Sequence, residues 1–151
     1  MATEVGDVRW FIDVACDGMV EIVSGLGDEG ANVRPLPGSN SPYCLLAHCL
    51  GVTAFWAGHA IAGRTIDRDR PAEFRAAGPV APLLERVVAV RQQLDRDLEA
   101  YQAESPPRQS FEDDSLPAPL TQRGCLLHLY EELARHHGQM EILRDAIEAR
   151  A

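Results

Sequence analysis

An imidazole and a carboxylate interrupt the apolar face of the last predicted helix, residues 122–150. Apolar residues recur there at steps of three and four, as they do on the buried face of a helix: Leu126, Leu129, Leu133, Met140, Leu143 and Ile147. The step between Leu133 and Met140 falls on His136, and Glu132 precedes it by four residues, so both side chains can converge on one point. Burying both groups is costly unless something satisfies them, and a metal ion would do so.

A third residue of this kind, His48, lies in the second predicted helix, residues 41–63. This stretch contains no acid or base other than two histidines, which indicates a largely buried helix. His48 occupies a position of its apolar face, as His136 does on the last helix. Together, His48, Glu132 and His136 predict a metal site in which three protein ligands leave a coordination position open for water or a substrate.

The types of these donor atoms leave the identity of the metal open. Nitrogen and oxygen donors suit zinc, but iron, nickel and manganese accept the same set. The histidines must bind as neutral imidazoles, so metal affinity should fall below pH ~6.5, the unperturbed histidine pKa. The alternative interpretation of this stretch is a hydrogen-bonded core histidine at position 136, with Glu132 at the rim of the core.

Three further histidines have less specific positions. His128 lies one turn before Glu132 and is an alternative ligand, a pocket-lining residue or a histidine at the helix surface. His137 points about 100° away from His136, so it is expected behind the ligands or in solvent. His59 is three turns from His48, too far to share a metal with it, and is expected to be partly exposed near the helix end.

The remaining reactive or aromatic side chains are expected in the core. Helical patterns without C-x-x-C spacing indicate small buried thiols instead of disulfides or zinc ligands: Cys16, Cys44, Cys49 and Cys125. Tyr43, Phe55 and Trp56 are expected to be core residues more than walls of a substrate pocket. Asn40 and Gln139 are candidates for hydrogen bonds to ligand groups.

The proposed ligands require two long helices side by side, and the rest of the chain predicts two more. Helical periodicity, with no credible strand, predicts helices at residues 4–26, 41–63, 80–104 and 122–150. Ser41 and Thr121 can cap the second and last helices. Irregular segments are predicted at residues 27–40, 64–79 and 105–120. The first two are long crossings, the second of them over the surface, and they disfavour a simple up-down bundle.

Length and charge restrict the class of protein. The 151 residues fit a single domain spanning residues 1–151. The net charge of −9 disfavours binding to nucleic acids or anionic membranes. The N-terminus lacks the features of a signal peptide, and no apolar stretch is expected to approach the ~20 residues that span a bilayer. A cytoplasmic protein is therefore expected.

Three stretches resemble a known family. SPYCLLAHCLGVTAFWAGHAIAGR resembles the second helix of DinB-like proteins, and CLLHLYEELARHHGQMEILRDAI resembles their final helix. DRPAEFRAAGPVAPLLERV resembles the crossing and third helix of a small actinobacterial branch. The resemblance covers most of residues 40–148. It implies an all-α, DinB-like four-helix bundle with long crossover connections, often a homodimer, with a divalent metal between helices two and four.

The ligand pattern departs from that of many DinB-like proteins, which use three histidines. Glu132 occupies the place of one of them, and this resembles the mycothiol-dependent maleylpyruvate isomerase, whose zinc is held by His, Glu and His. The resemblance therefore implies His48, Glu132 and His136 as the metal ligands, with zinc as the metal and mycothiol as a co-substrate.

Three hypotheses for function follow. In the first, the metal stabilises the thiolate of mycothiol, which attacks an electrophile, as in a mycothiol S-transferase or isomerase-like enzyme. In the second, zinc-activated water hydrolyses a small substrate. In the third, a structural metal stabilises a non-catalytic stress-response or interaction bundle, which would require a fourth ligand such as His128. No residue is assigned a catalytic role beyond metal binding.

Overall fold

A computed structural model of the chain describes residues 2–112, 116 and 120–151. Its helices are α1 (Ala2–Ala31), α2 (Pro42–Thr53), a π-helical continuation of α2 here called the π segment (Ala54–Ile61), α3 (Arg70–Arg75), α4 (Val80–Leu98) and α5 (Gln122–Glu148). These described residues contain no strand, so the predicted all-α class is confirmed. Within the irregular segment predicted at 105–120, residues 113–115 and 117–119 lie outside the described residues.

The predicted caps are present at the helices that carry the candidate ligands. The Ser41 side chain accepts a hydrogen bond from the Cys44 backbone N–H, and Pro42 occupies the first turn of α2. The Thr121 side chain accepts a hydrogen bond from the Gly124 N–H at the start of α5. Helix α1 continues beyond its predicted end at residue 26, although Gly27 (φ 66°, ψ −174°) interrupts its helical geometry.

The core forms where α1, α2, the π segment, α4 and α5 pack together. Its largest fully buried apolar side chains are Ile12, Met19, Val23, Leu45, Leu46, Ile61, Leu94, Leu126, Leu129 and Met140. The apolar positions predicted for α5 are buried except Ile147, which is half-buried. The Phe11 side chain of α1 is 47% exposed and packs beside Trp10 and Tyr130.

The crossing between the second and fourth helices differs from the surface segment predicted at 64–79. Asp69 caps α3 and Pro71 stands in its first turn, so this proline begins a helix instead of preventing one. Helix α3 packs against α2, and the Glu73 carboxylate reaches the buried His48. The charged residues of this segment therefore include one, Glu73, that contacts a buried residue of the inner helix.

Helix α4 ends at Leu98, before the predicted end at residue 104, and its polar face is not wholly solvated. Asp97 is 3% exposed and accepts two hydrogen bonds from Arg64, at 2.8 and 2.7 Å, and one from Gln93 at 2.8 Å. Gly58 leaves room for this contact, because a Cβ there would lie 2.4 Å from Arg64 Nη2. This ion pair connects the residues that follow the π segment to α4.

One stretch of the described residues, Pro42–Ile61, is long and apolar enough to cross a membrane by length and composition alone. The expectation that no stretch approaches 20 residues was therefore wrong. Of its most apolar 18-residue window, 83% is buried inside the protein, as is usual for a core helix. This burial agrees with the prediction of an inner helix.

Candidate metal centre

The three predicted ligands meet where α2 packs against α5. His48 Nε2 lies 3.8 Å from Glu132 Oε2, and His136 Nε2 lies 3.6 Å from the same oxygen. One donor atom from each residue lies within 4.8 Å of the other two. The two imidazole rings are perpendicular, at 89°, with their centroids 4.9 Å apart. Two helices that are far apart in the sequence pack together and bring the three donor atoms into one small volume.

The donor atoms fit a divalent metal ion in type and spacing. His48 Nε2 is buried and has no hydrogen-bond partner among the described residues, and a buried polar atom left in this state is energetically costly. A tetrahedral zinc ion with ligands at ~2.1 Å holds its donors about 3.4 Å apart, close to the 3.8 and 3.6 Å that separate the two imidazole nitrogens from the Glu132 oxygen. An ion between the donors would satisfy the unpartnered nitrogen.

Both histidines present the same ring nitrogen to this volume. His48 Nδ1 donates to Glu73 Oε2 at 2.8 Å, and His136 Nδ1 donates to Gln139 Oε1 at 3.0 Å, because both oxygens can only accept. In the neutral imidazoles, Nε2 is then the unprotonated nitrogen that could bind a metal. Gln139, a candidate for contacts with ligand groups, instead orients His136.

The charges at the centre favour an ionised Glu132. The imidazoles of His136 and His48, whose Nε2 atoms lie 3.6 and 3.8 Å from its carboxylate, hold the pKa of Glu132 far below its usual range, although burial acts in the opposite direction. Burial acts to lower the pKa of His48, but the neighbouring carboxylates of Glu132 and Glu73 outweigh it and raise that pKa. Because protons compete with metal for His48, the fall in metal affinity on acidification should begin above pH ~6.5.

Glu73 and its partner Arg68 were not predicted as part of the site. Burial acts to raise the pKa of Glu73, but hydrogen bonds with His48 and Arg68 outweigh it and lower that pKa. Glu73 bonds to Nδ1 of His48, whereas Glu132 faces Nε2, so the two carboxylates lie on opposite sides of the imidazole ring. The sequence signals were the helix start at Asp69 and Pro71, since a short helix after the crossing can turn a charge inward.

A cavity of about 520 Å³ adjoins the donor atoms. Its lining comprises His48, Val52, Phe55, Trp56, Arg68, Arg70, Phe111, Glu112, His128, Glu132 and Arg135. Phe55 and Trp56 come from the π segment and face Phe111, so they form an aromatic wall. Trp56 is 4% exposed, as expected of a core residue, yet it and Phe55 also line this cavity.

The other histidines lie outside the set of three donors. His128 lines the cavity with its ring against Trp56, and it groups with Glu131 and Glu132 as possible metal donors, apart from the two candidate ligand histidines. His137 packs on α1, where a Cβ added to Gly18 would lie 2.2 Å from His137 Nε2.

His59 lies away from the donors, at the end of the π segment. Its Nε2 is 2.9 Å from the backbone oxygen of Ser110, and its ring stacks on Phe55 at a centroid distance of 4.9 Å. It is half-buried, in agreement with the partial exposure predicted for it.

The cysteines are free, buried thiols, as predicted. Burial raises the pKa of Cys16 and Cys49, and it raises that of Cys125 to about 11. Neutral thiols without solvent access are poor nucleophiles. A sulfur nucleophile acting in the cavity would therefore come from a bound substrate.

Comparison with known proteins identifies the family. A family model described as mycothiol-S-transferase matches residues 7–149. Among solved structures, a conserved protein from Enterococcus faecalis matches with a TM-score of 0.69 at 15% identity, covering 96% of this chain and 97% of that chain, which shows a shared fold. No curated protein matches. Since the family model covers nearly the whole sequence, the chain belongs to the mycothiol S-transferase family of the DinB-like superfamily.

Proposed function

We propose that this protein transfers a small electrophile to the sulfur of mycothiol, with a divalent metal held by His48, Glu132 and His136. The observation that carries the metal assignment is the buried, unpartnered Nε2 of His48, which faces a carboxylate and a second imidazole nitrogen. Family membership supports mycothiol as the thiol. Nitrogen and oxygen donors in this number favour zinc, with nickel, iron and manganese as alternatives.

In this reaction the ligands would hold the metal, and the cavity would hold the two substrates beside it. A bound divalent ion would supply positive charge that lowers the pKa of a coordinating thiol. His48 and Glu132 line the cavity, so a thiol and an electrophile entering it can meet beside the donor atoms. A C–S bond forms as the leaving group departs with its electron pair, or as an activated double bond takes up a proton, and the thiol proton passes to solvent.

The aromatic wall of the cavity indicates the class of electrophile. Phe55, Trp56 and Phe111 present aromatic surface to a cavity of about 520 Å³, a volume typical of small-molecule sites. An electrophile with an apolar or aromatic body would bury its surface against them. We therefore propose apolar xenobiotic-like electrophiles as the co-substrates.

The number of donors favours a catalytic site over a purely structural one. Structural zinc sites are normally closed by four protein ligands. Among the described residues, His128 does not join His48 and His136 in one group of donor atoms. The three donors therefore support a site with an open position, which the hydrolase hypothesis would share with the transferase.

Product analysis with and without thiol separates these functions. Zinc-loaded protein, mycothiol and an aromatic halide should yield the mycothiol thioether, measured by mass spectrometry, at least about 100-fold faster than His136→Ala, which loses a metal ligand. His137→Ala is the matched control, because His137 packs on Gly18 away from the donors. Substrate hydrolysis in thiol-free buffer, or metal binding without any turnover, would contradict the transferase.

We also propose a homodimer that forms through an exposed apolar patch. Trp10, Phe11 and Val14 of α1 are 60%, 47% and 46% exposed, and Leu127 of α5 is 48% exposed. Phe11 contacts Tyr130 of α5, so the patch continues across both helices. A mass of twice 16.5 kDa by light scattering, halved by Phe11→Arg, is expected. A monomeric wild type would contradict this arrangement.

A cytoplasmic location is part of the same proposal. All four cysteines are free, and thiols persist in compartments that keep them reduced. The proposed transferase also needs its thiol substrate, mycothiol, in the same compartment.

A further inference from the structure

The second ring nitrogen of His48, Nδ1, has a largely buried carboxylate as its hydrogen-bond partner. Its Nδ1 donates to Glu73 Oε2 at 2.8 Å, and the two side chains are only 2% and 9% exposed. Glu73 lies on α3, which is separate in sequence from the helices of the three donors. The adjacent Phe74 stacks on the His48 ring at a centroid distance of 4.3 Å. A six-residue helix therefore fixes both an edge and a face of one candidate ligand.

Arg68 holds the Glu73 carboxylate in this position. Its Nε donates to Glu73 Oε1 at 2.7 Å, and its Nη2 donates to Oε2 at 2.9 Å. This forked contact is the strong, directional form of an arginine–carboxylate pair. Both oxygens of Glu73 are thereby engaged, and Oε2 is shared between Arg68 and His48.

The surface of α2 is shaped to receive this carboxylate. A Cβ added at Gly51 would lie 2.0 Å from Glu73 Oε1 and 2.5 Å from its carboxyl carbon. Gly51 follows His48 by three residues, so it lies one turn along the same side of α2. Any other residue at position 51 would displace the group that bonds to His48.

We propose that Arg68, Glu73 and Gly51 form a positioning device for metal binding, which acts through His48. Glu73 keeps the proton on Nδ1, so Nε2 faces the metal with a fixed ring orientation, and the carboxylate makes the imidazole a stronger donor. Arg68 fixes Glu73, and Gly51 provides the space that it occupies. This inference rests on the metal site of the proposed function.

Zinc affinity, measured by competition with a chromophoric chelator, tests the device without any assay of turnover. Glu73→Ala should weaken zinc binding about 10- to 100-fold. Glu73→Gln should weaken it less, because its amide oxygen can still accept from Nδ1. Asp67→Asn is the matched control, since it removes an exposed carboxylate from the same crossing and should leave affinity unchanged. The visible spectrum of the cobalt(II) form should change in Glu73→Ala, because the His48 donor is less well oriented.

A double-mutant cycle separates positioning from general damage to the fold. Gly51→Ala should weaken zinc binding in the wild-type background but have little further effect in Glu73→Ala, because its target is then absent. Additive effects, or wild-type affinity and cobalt spectrum in Glu73→Ala, would overturn the proposal. A wild type that binds no metal would instead overturn the metal site itself, so the two failures are distinguishable.

Discussion

Glu132→Ala is expected to weaken zinc binding at least about 100-fold. Removing residues that merely orient a metal ligand costs about 10- to 100-fold in affinity, and Glu132 is proposed to bind directly. Its oxygen Oε2 is the donor that lies near both His48 Nε2 and His136 Nε2, so its removal also deprives both imidazoles of their shared anionic partner. The affinity is measured by chelator competition, and the metal content of untagged protein by elemental analysis.

Glu131→Ala supplies a matched control for this experiment. Glu131 is the neighbouring residue on α5, contacts Arg135 as Glu132 does, and carries the same charge. Its side chain is 45% exposed and lies outside the group formed by the three proposed ligands. Glu131→Ala should retain wild-type zinc affinity. Equal affinity in Glu132→Ala and the wild type would remove Glu132 from the site.

The candidate metal site lies at a contact between core helices, which affects both the positions of its side chains and the stability of the protein. His48 is buried in the core, and Glu132 and His136 lie half-buried at the contact between α2 and α5, so the packing of the two helices holds all three candidate ligands. The cost is a buried imidazole nitrogen without a partner, next to a half-buried carboxylate. A metal bound only by the folded state would offset that cost and raise the stability of the protein.

The candidate ligand set could be identified in the sequence because it interrupts long, regular patterns. His136 and His48 stand among apolar residues at helical spacing, and such a pattern identifies the buried face whatever the partner helix is. Glu132 then follows from its distance of one turn from His136. The meeting of the two helices was implied by the family resemblance, and the structure places their donor atoms within 4.8 Å.

The supporting residues could not be found in this way. Helix α3 has only six residues, so it contributes no periodic pattern, and Glu73 stands among charged residues typical of a solvated segment. Its role depends on a tertiary contact with Gly51, which the sequence of either segment alone does not reveal. The π segment was likewise predicted as ordinary helix, because its altered hydrogen bonding does not change the apolar character of the stretch.

The second large expected effect is a loss of stability, and it concerns a buried charge outside the candidate site. Arg64→Ala should lower the free energy of unfolding by about 3 kcal/mol, because it leaves the Asp97 carboxylate buried without its cationic partner. The low end of the usual range is expected, since the Arg64 side chain is 38% exposed and Gln93 still donates one hydrogen bond. Urea denaturation of the metal-free protein measures the change.

Two further variants show whether the unpaired charge causes this loss. Arg86→Ala removes an exposed arginine of α4 and should change stability by no more than about 0.5 kcal/mol. Adding Asp97→Asn to Arg64→Ala should recover part of the lost stability, because the amide carries no charge to be desolvated. If the double variant is less stable than Arg64→Ala, the loss comes from the packing of the Arg64 side chain over Gly58 and not from the buried carboxylate.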